Sequence, residues 1–253
     1  MTHGEVITDR EERELRVLAL HEPISITWSR YAPGQRGPDL HVHREHSDAF
    51  YVLEGELTFG LGPEGDKVRV PAGGFVAAPP NVAHSFANEG SADARFLNLH
   101  APDTGFVGSL RARRDGGDPS YDQFDPPADG GLPRGHAIVS GPGEGERLVS
   151  GNRIALMKGA LDDISLAEWT IEGPLDGPGL HTHENGVDSF YVLEGELEMT
   201  VDGAVHATGP GTLASVPPGV LHTFNHRGAG TVRFLNVHAP DEGFAGYLRS
   251  ISD

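Results

Sequence analysis

Apolar and polar residues alternate along most of the chain, in short runs broken by glycine and proline. Residues 24–31 read Ile-Ser-Ile-Thr-Trp-Ser-Arg-Tyr, which puts Ile24, Ile26 and Trp28 on one face of a strand. An apolar run at 17–20 offers an earlier strand, and residues 48–53 and 56–60 predict a hairpin around Glu54-Gly55. Short strands follow at 68–70, 75–78 and 84–87, with a longer one at 95–100. Beyond it, Asp103 is placed to cap a short helix reaching about Arg114, with Phe106 and Leu110 four apart on one face. A later counterpart after Asp241 would carry Phe244, Tyr247 and Leu248 together. These two are the chief helices the pattern predicts.

The pattern occurs twice. Phe50-Tyr51-Val52-Leu53-Glu54-Gly55-Glu56-Leu57 returns unchanged at Phe190-Tyr191-Val192-Leu193-Glu194-Gly195-Glu196-Leu197, 140 residues on. Just upstream stand His41-Val42-His43 with Asp48, and His181-Thr182-His183 with Asp188. Downstream, Pro79-Pro80-Asn81 leads to His84, and Pro217-Pro218-Gly219 to His222. This second match is offset by 138, as expected if one loop shortens while the strands persist. Asp202-Gly203 adds a type I′ hairpin signal.

Histidines two apart on a strand point to the same face. Three histidines and one carboxylate per copy form a nitrogen and oxygen donor set for a divalent metal such as Mn, Fe, Co, Ni or Zn. Asp48 and Asp188 could bind such an ion directly, bind it through water, or orient a histidine. Asn98 with His100, and Asn236 with His238, recur on one strand face; if that face is interior they line the pocket or back the ligands. His46, His206 and His226 have no counterpart between copies and are expected in solvent, and Glu54 and Glu194 beside surface turns.

The spacing Gly…His-x-His-x4-Asp-x6-Gly, followed by Gly-x5-Pro-x-(Asn/Gly)-x2-His, resembles the two sequence motifs of the cupins, once in each half of the chain. Asp48 and Asp188 stand where the family usually has Glu. Asn81 replaces a motif glycine that Gly219 retains, and His226 replaces a terminal asparagine matched by Asn88. The resemblance implies an all-β fold of two tandem cupin barrels (double-stranded β-helix, jelly-roll) with short flanking helices. The first would span 1–115 and the second 136–253, with an Asp/Gly/Pro-rich linker at 116–135 anchored by Tyr121 and Phe124. It implies one divalent transition metal (Fe, Mn, Ni, Co or Zn) per barrel and no other cofactor. His41, His43, Asp48 and His84 would hold one ion, and His181, His183, Asp188 and His222 the other.

The activity it implies is that of a metal-dependent oxidoreductase, a dioxygenase of the quercetinase type acting on a small organic molecule. Asp48 or Asp188 would be the catalytic base, with Phe50, Val52, Phe190 and Val192 walling the site. The alternatives are a non-catalytic metal or small-ligand binder, and a metal-assisted isomerase or decarboxylase.

Composition narrows the partners. A formal net charge of −18 argues against nucleic acid and anionic membrane surfaces. The absence of cysteine removes disulfides, thiolate ligands and a cysteine nucleophile. Residues 1–16 are charged and lack the apolar core of a signal peptide, and no apolar run approaches the roughly 20 residues of a membrane helix. A cytoplasmic location is expected, and a homo-oligomer is compatible with it.

Overall fold

A computed structural model describes residues 4–253; the first three residues of the N-terminal run read above lie outside the described residues. The chain forms two compact units, Gly4–Glu144 and, in the C-terminal part, Gly145–Asp253. Each is a β-barrel of two facing antiparallel sheets with one short helix of its own.

In the first barrel the larger sheet runs, in spatial order, Glu5–Asp9, Arg13–His21, Ile24–Tyr31, Ala94–Ala101, Ser47–Glu54, Phe75–Ala78 and Ile138–Ser140. The smaller sheet is Asp66–Pro71, Glu56–Leu61 and His84–Ala87. Phe50, Val52 and Phe96 from the larger sheet pack on Leu57, Phe59 and Phe86 from the smaller, and this is the core. The expected boundary at residue 136 falls inside this unit, because Ile138–Ser140 extends the larger sheet by pairing with Phe75–Ala78.

The second barrel repeats the plan. Its six-stranded sheet runs Glu146–Ser150, Arg153–Ala160, Ser165–Glu172, Thr231–Ala239, Val187–Glu194 and Leu213–Val216. The facing sheet is Leu175–Asp176, His222–His226, Leu197–Val201 and Ala204–Thr208. Phe190, Val192 and Phe234 meet Leu197, Met199 and Phe224 in its core.

Three expectations need correction. Residues 48–53 and 56–60 do not form a hairpin: Ser47–Glu54 lies in the larger sheet and Glu56–Leu61 in the smaller. Gly55, at φ +71°, is the corner where the chain passes between sheets, and Gly195 does the same at φ +74°. Local turn chemistry signals a reversal but not which strands pair across it. The first strands begin earlier than 17–20, at Glu5–Asp9 and Arg13–His21, because Leu15, Val17 and Ala19 alternate onto one buried face. The helix N-cap is Gly105 rather than Asp103, although the Asp103 carboxylate still accepts from the Val107 backbone N–H at 3.4 Å. The Asp202-Gly203 turn holds as read, with φ +47° and +78° at its two central residues.

The Gly195 corner and the Gly203 turn differ in what surrounds them. A Cβ on Gly195 would sit 2.5 Å from the Thr231 carbonyl oxygen, whereas one on Gly203 (φ +78°) would meet nothing within 4 Å. Gly203→Ala should therefore cost only the left-handed backbone strain, about 1–2 kcal/mol. Gly195→Ala should cost about 1–3 kcal/mol more, since backbone must shift. Urea unfolding of the two variants beside the wild type measures the difference; equal losses would refute the corner constraint.

Candidate metal centres

His41 and His43 do not sit on a regular strand. They occupy an irregular segment tied to His84 by a single antiparallel bridge, with His41 N–H donating to the His84 carbonyl at 3.0 Å and His84 N–H returning to His41 at 2.9 Å. Asp48 is the second residue of strand Ser47–Glu54, and His84 opens strand His84–Ala87. The turn before His84 needs a left-handed residue, and Asn81 supplies it at φ +66°, as Gly219 does at φ +76°. Both turns donate back N–H bonds, Asn81 to the His43 carbonyl at 2.7 Å and Gly219 to that of His183 at 2.8 Å.

These elements bring His41, His43, Asp48 and His84 together, and likewise His181, His183, Asp188 and His222, with donor atoms within 4.8 Å of one another in each set. Backbone carbonyls fix the rings. His41 Nδ1 faces the Asp39 carbonyl at 2.8 Å, His84 Nδ1 faces that of Val82 at 2.9 Å, and His43 Nδ1 bonds to that of Asp122. In the second set His181 faces Gly179 and His222 faces Val220, both at 2.9 Å. A carbonyl only accepts, so each such Nδ1 carries the proton and Nε2 presents a lone pair.

Those lone pairs converge on a carboxylate. Asp48 Oδ2 lies 3.2 Å from His84 Nε2 and 3.6 Å from His43 Nε2. Asp188 Oδ2 lies 3.3 Å from His222 Nε2 and 3.6 Å from His183 Nε2. Nε2 of His43 and of His183 is buried with no hydrogen-bond partner. Orphaned imidazole nitrogens and a carboxylate oxygen aimed at one point are mutually repulsive unless a cation lies among them. The donor set therefore fits a divalent transition metal.

The other oxygen of each aspartate faces its own strand neighbours. Asp48 Oδ1 accepts from Asn98 Nδ2 and lies 3.5 Å from His100 Nε2. Asp188 Oδ1 accepts from Asn236 Nδ2 at 2.5 Å and lies 3.3 Å from His238 Nε2. The recurrent Asn and His thus back the carboxylates. Helix Phe106–Arg114 joins in through Phe106, stacked on His100 at 3.7 Å, and helix Phe244–Ser250 through Phe244, stacked on His238 at 3.8 Å.

Electrostatics follow. Burial alone would raise Asp48 and Asp188, yet the surrounding histidines outweigh it and hold both carboxyls below their ordinary range. Burial, with His84 and His43 nearby, pushes His41 down to about 3, and burial lowers His181. Burial opposes protonation of His222 as well, but the Asp188 carboxylate wins and raises it.

The two sites differ in access. In the first barrel a cavity of only about 60 Å³ touches His41 and Asp48, walled by Phe86, Phe106 and Tyr121 among others. The second barrel opens a cavity of about 470 Å³ onto His181, His183 and Asp188. The segment read as a linker closes the first site. Tyr121 packs 6.0 Å from the His43 ring, and Phe124 exchanges backbone bonds with Val42 at 2.9 and 3.0 Å. The Asp122 carboxylate accepts from the backbone N–H of Arg44 at 3.0 Å and of Glu45 at 2.8 Å.

His46 is not in solvent: it is fully buried, facing Asp122 Oδ2 and His100 Nδ1, each at 2.8 Å. His226 is also buried, its ring nitrogens 3.0 Å from the carbonyls of Glu196 and Gly230. It thus braces a turn, as Asn88 does through the carbonyls of Tyr31 and Ala92. His206 is exposed as expected. Phe50, Val52, Phe190 and Val192 do not wall the cavities; they lie two and four residues beyond the aspartates and pack in the cores. Trp169, Phe224 and Phe244 line the larger cavity instead.

A cupin domain model matches residues 27–100 and 168–238, more than half of the chain, and the chain belongs to the cupin family. It is 26% identical over 224 residues to quercetin 2,3-dioxygenase of Bacillus subtilis strain 168, an alignment covering 73% of this chain and 64% of that protein. Its fold resembles that of Lactobacillus farciminis oxalate decarboxylase in a formate complex, at 15% identity and a TM-score of 0.64 over 94% of this chain and 84% of the other. AerE of Microcystis aeruginosa is similar at 15% identity and a TM-score of 0.65, over 93% and 96% of the two chains.

Two donor sets predict two equivalents of divalent metal per chain. The double variant His181→Ala, His183→Ala should retain one, measured by elemental analysis after reloading and dialysis. Unchanged stoichiometry would remove the second site. Bound metal should fall as pH drops, because protons compete for the imidazole lone pairs.

Proposed function

We propose that this chain is a metal-dependent dioxygenase acting on a small organic molecule, with its chemistry in the second barrel. The observation that carries the reading is the cavity of about 470 Å³ opening onto His181, His183 and Asp188, against about 60 Å³ at the matching place in the first barrel. Ligand pockets for small molecules are commonly about 300–1,000 Å³. The similarity to a quercetin dioxygenase supports the oxygen-using class.

In this reading His181, His183 and His222 would hold Fe, Mn, Co, Ni or Zn in the second barrel with Asp188 beside it as base, and His41, His43, His84 and Asp48 would hold an ion in the first. When bound, the metal supplies Lewis acidity and a template for substrate oxygen and dioxygen. The remaining work belongs to the chain. The Gly179 and Val220 carbonyls keep the Nε2 atoms of His181 and His222 aimed at the centre. Asn236 holds one oxygen of Asp188, so the other faces the histidines and the cavity. Kept ionised, Asp188 is the base that takes the proton of a substrate hydroxyl. Trp169, Phe224 and Phe244 present apolar surface to the substrate and displace water from it. The first barrel, sealed by Tyr121, is a buried metal site without room for substrate, and Asp48 there serves as a ligand.

Oxygen uptake with flavonols, catechols and diketones, on protein reloaded with each metal in turn, tests the class. Uptake should survive His41→Ala and vanish in His181→Ala, His183→Ala. Asp188→Asn should lower turnover by roughly 10²–10⁴ while metal stays bound; loss of metal instead would make Asp188 a ligand rather than the base. No uptake with any pairing, beside tight binding of an organic acid or sugar, would assign the chain to a binding module, isomerase or decarboxylase.

A further inference from the structure

The repeat hides a pair of arginines. Arg13 and Arg153 stand 140 residues apart, each opening a strand of the larger sheet and each lining the cavity of its own barrel. Their surroundings differ. Arg13 pairs across the strands with Tyr31, and its guanidinium lies 4.8 Å over that ring. Arg153 pairs with Ile171, a residue with no aromatic face to cover. Its hydrogen-bond partners are the carbonyl of Ser150 at 3.4 Å and the Ser150 hydroxyl at 3.0 Å, both on its own hairpin. Among the described residues no carboxylate lies within ion-pair reach of it.

Arg13, Arg36, Arg44 and Arg147 likewise have no carboxylate within ion-pair distance among the described residues, but Arg153 combines this with a place on the wall of the larger cavity. Acidic residues outnumber Lys and Arg by 37 to 19, and Arg16, Arg30, Arg95, Arg111, Arg227 and Arg249 all hold a carboxylate. Arg153 keeps a positive charge on the cavity wall without one.

A second donor stands on the same wall. Trp169 occupies the register of Ser29: Trp169 pairs with Phe234 as Ser29 pairs with Phe96. It is more than nine-tenths buried and lines the cavity, and its indole Nε1–H has no hydrogen-bond partner. A buried N–H without an acceptor costs about 1–3 kcal/mol, an incentive to find one in a ligand. In the first barrel Ser29 stands in the place of Trp169 and offers no indole N–H, while Arg13, also without a carboxylate and with its Nε unpartnered, lays its guanidinium over the Tyr31 ring.

We propose that the second barrel selects an organic carboxylate, its head group held by the Arg153 guanidinium and the Trp169 indole N–H and its apolar body against Phe224 and Phe244. Guanidinium matches a carboxylate with two parallel N–H bonds, which no neutral head group returns equally. The inference rests on the second barrel being the substrate site, and it names the charge and shape of what enters.

Calorimetric titration of the full-length protein with 3-phenylpropionate and with 3-phenylpropionamide, alike in shape and unlike in charge, tests it. The acid should bind wild-type protein at least about tenfold more tightly than the amide. Arg153→Gln should bring the two within about twofold, Arg153→Lys should retain part of the preference, and Arg147→Gln, at an exposed position, should keep all of it. Trp169→Phe should weaken both probes, since each offers an acceptor oxygen. Equal binding of acid and amide by the wild type, an acid preference that survives Arg153→Gln, or no binding of either at millimolar concentration would each overturn the proposal. The titration reads binding without turnover, so failure of oxygen uptake leaves it standing, and loss of the acid preference leaves the oxygen test standing.

Discussion

Each metal-type centre depends on the bonds from imidazole Nδ1–H to backbone carbonyls. Those bonds, to Asp39, Val82 and Asp122 in the first barrel and to Gly179 and Val220 in the second, choose the tautomer and set the ring plane. Once Nδ1 is committed, Nε2 is an acceptor wherever the backbone points it. The irregular segment around His41 and the left-handed turn at Asn81 exist in a form that points it inward. The strands are the frame that makes such short, sharply bent segments stay put.

The carboxylates add a second level of positioning. One oxygen of Asp48 or Asp188 is occupied by an asparagine amide from the neighbouring strand, so the other is left for the histidine cluster. His100 and His238 connect this arrangement to the short helices through stacked phenylalanines. Loss of the ring at Phe106 or Phe244 would therefore reach the carboxylate through His100 or His238.

The two barrels carry the same donor chemistry with opposite access. In the first, Tyr121 and Asp122 lie over the site and leave a cavity of about 60 Å³. In the second the corresponding space is open, Trp169 and Arg153 replace the smaller Ser29 and the stacked Arg13, and about 470 Å³ remains. The two copies share the clustered histidines and aspartate, and the residues around them differ in size, charge and pairing. This asymmetry separates an enclosed donor cluster from one that opens onto a cavity.

By itself the sequence determined the repeat, the strand-rich architecture, the Asp202-Gly203 turn and the eight histidine and aspartate positions that cluster. All of these are periodicities and spacings, and they survive any rearrangement that keeps strand register. It did not show that Glu54-Gly55 turns a corner between sheets, because a reversal signal carries no record of its partner strand. Nor could it place His46, whose burial depends on Asp122, 76 residues away. The surroundings of Arg153 and Trp169 were likewise invisible, since a charge without a counter-charge and an N–H without an acceptor are properties of three-dimensional neighbourhoods. Tertiary structure decided which barrel is open, because that rests on where residues 116–135 pack, and a polar, proline-rich stretch has no period from which to read a destination.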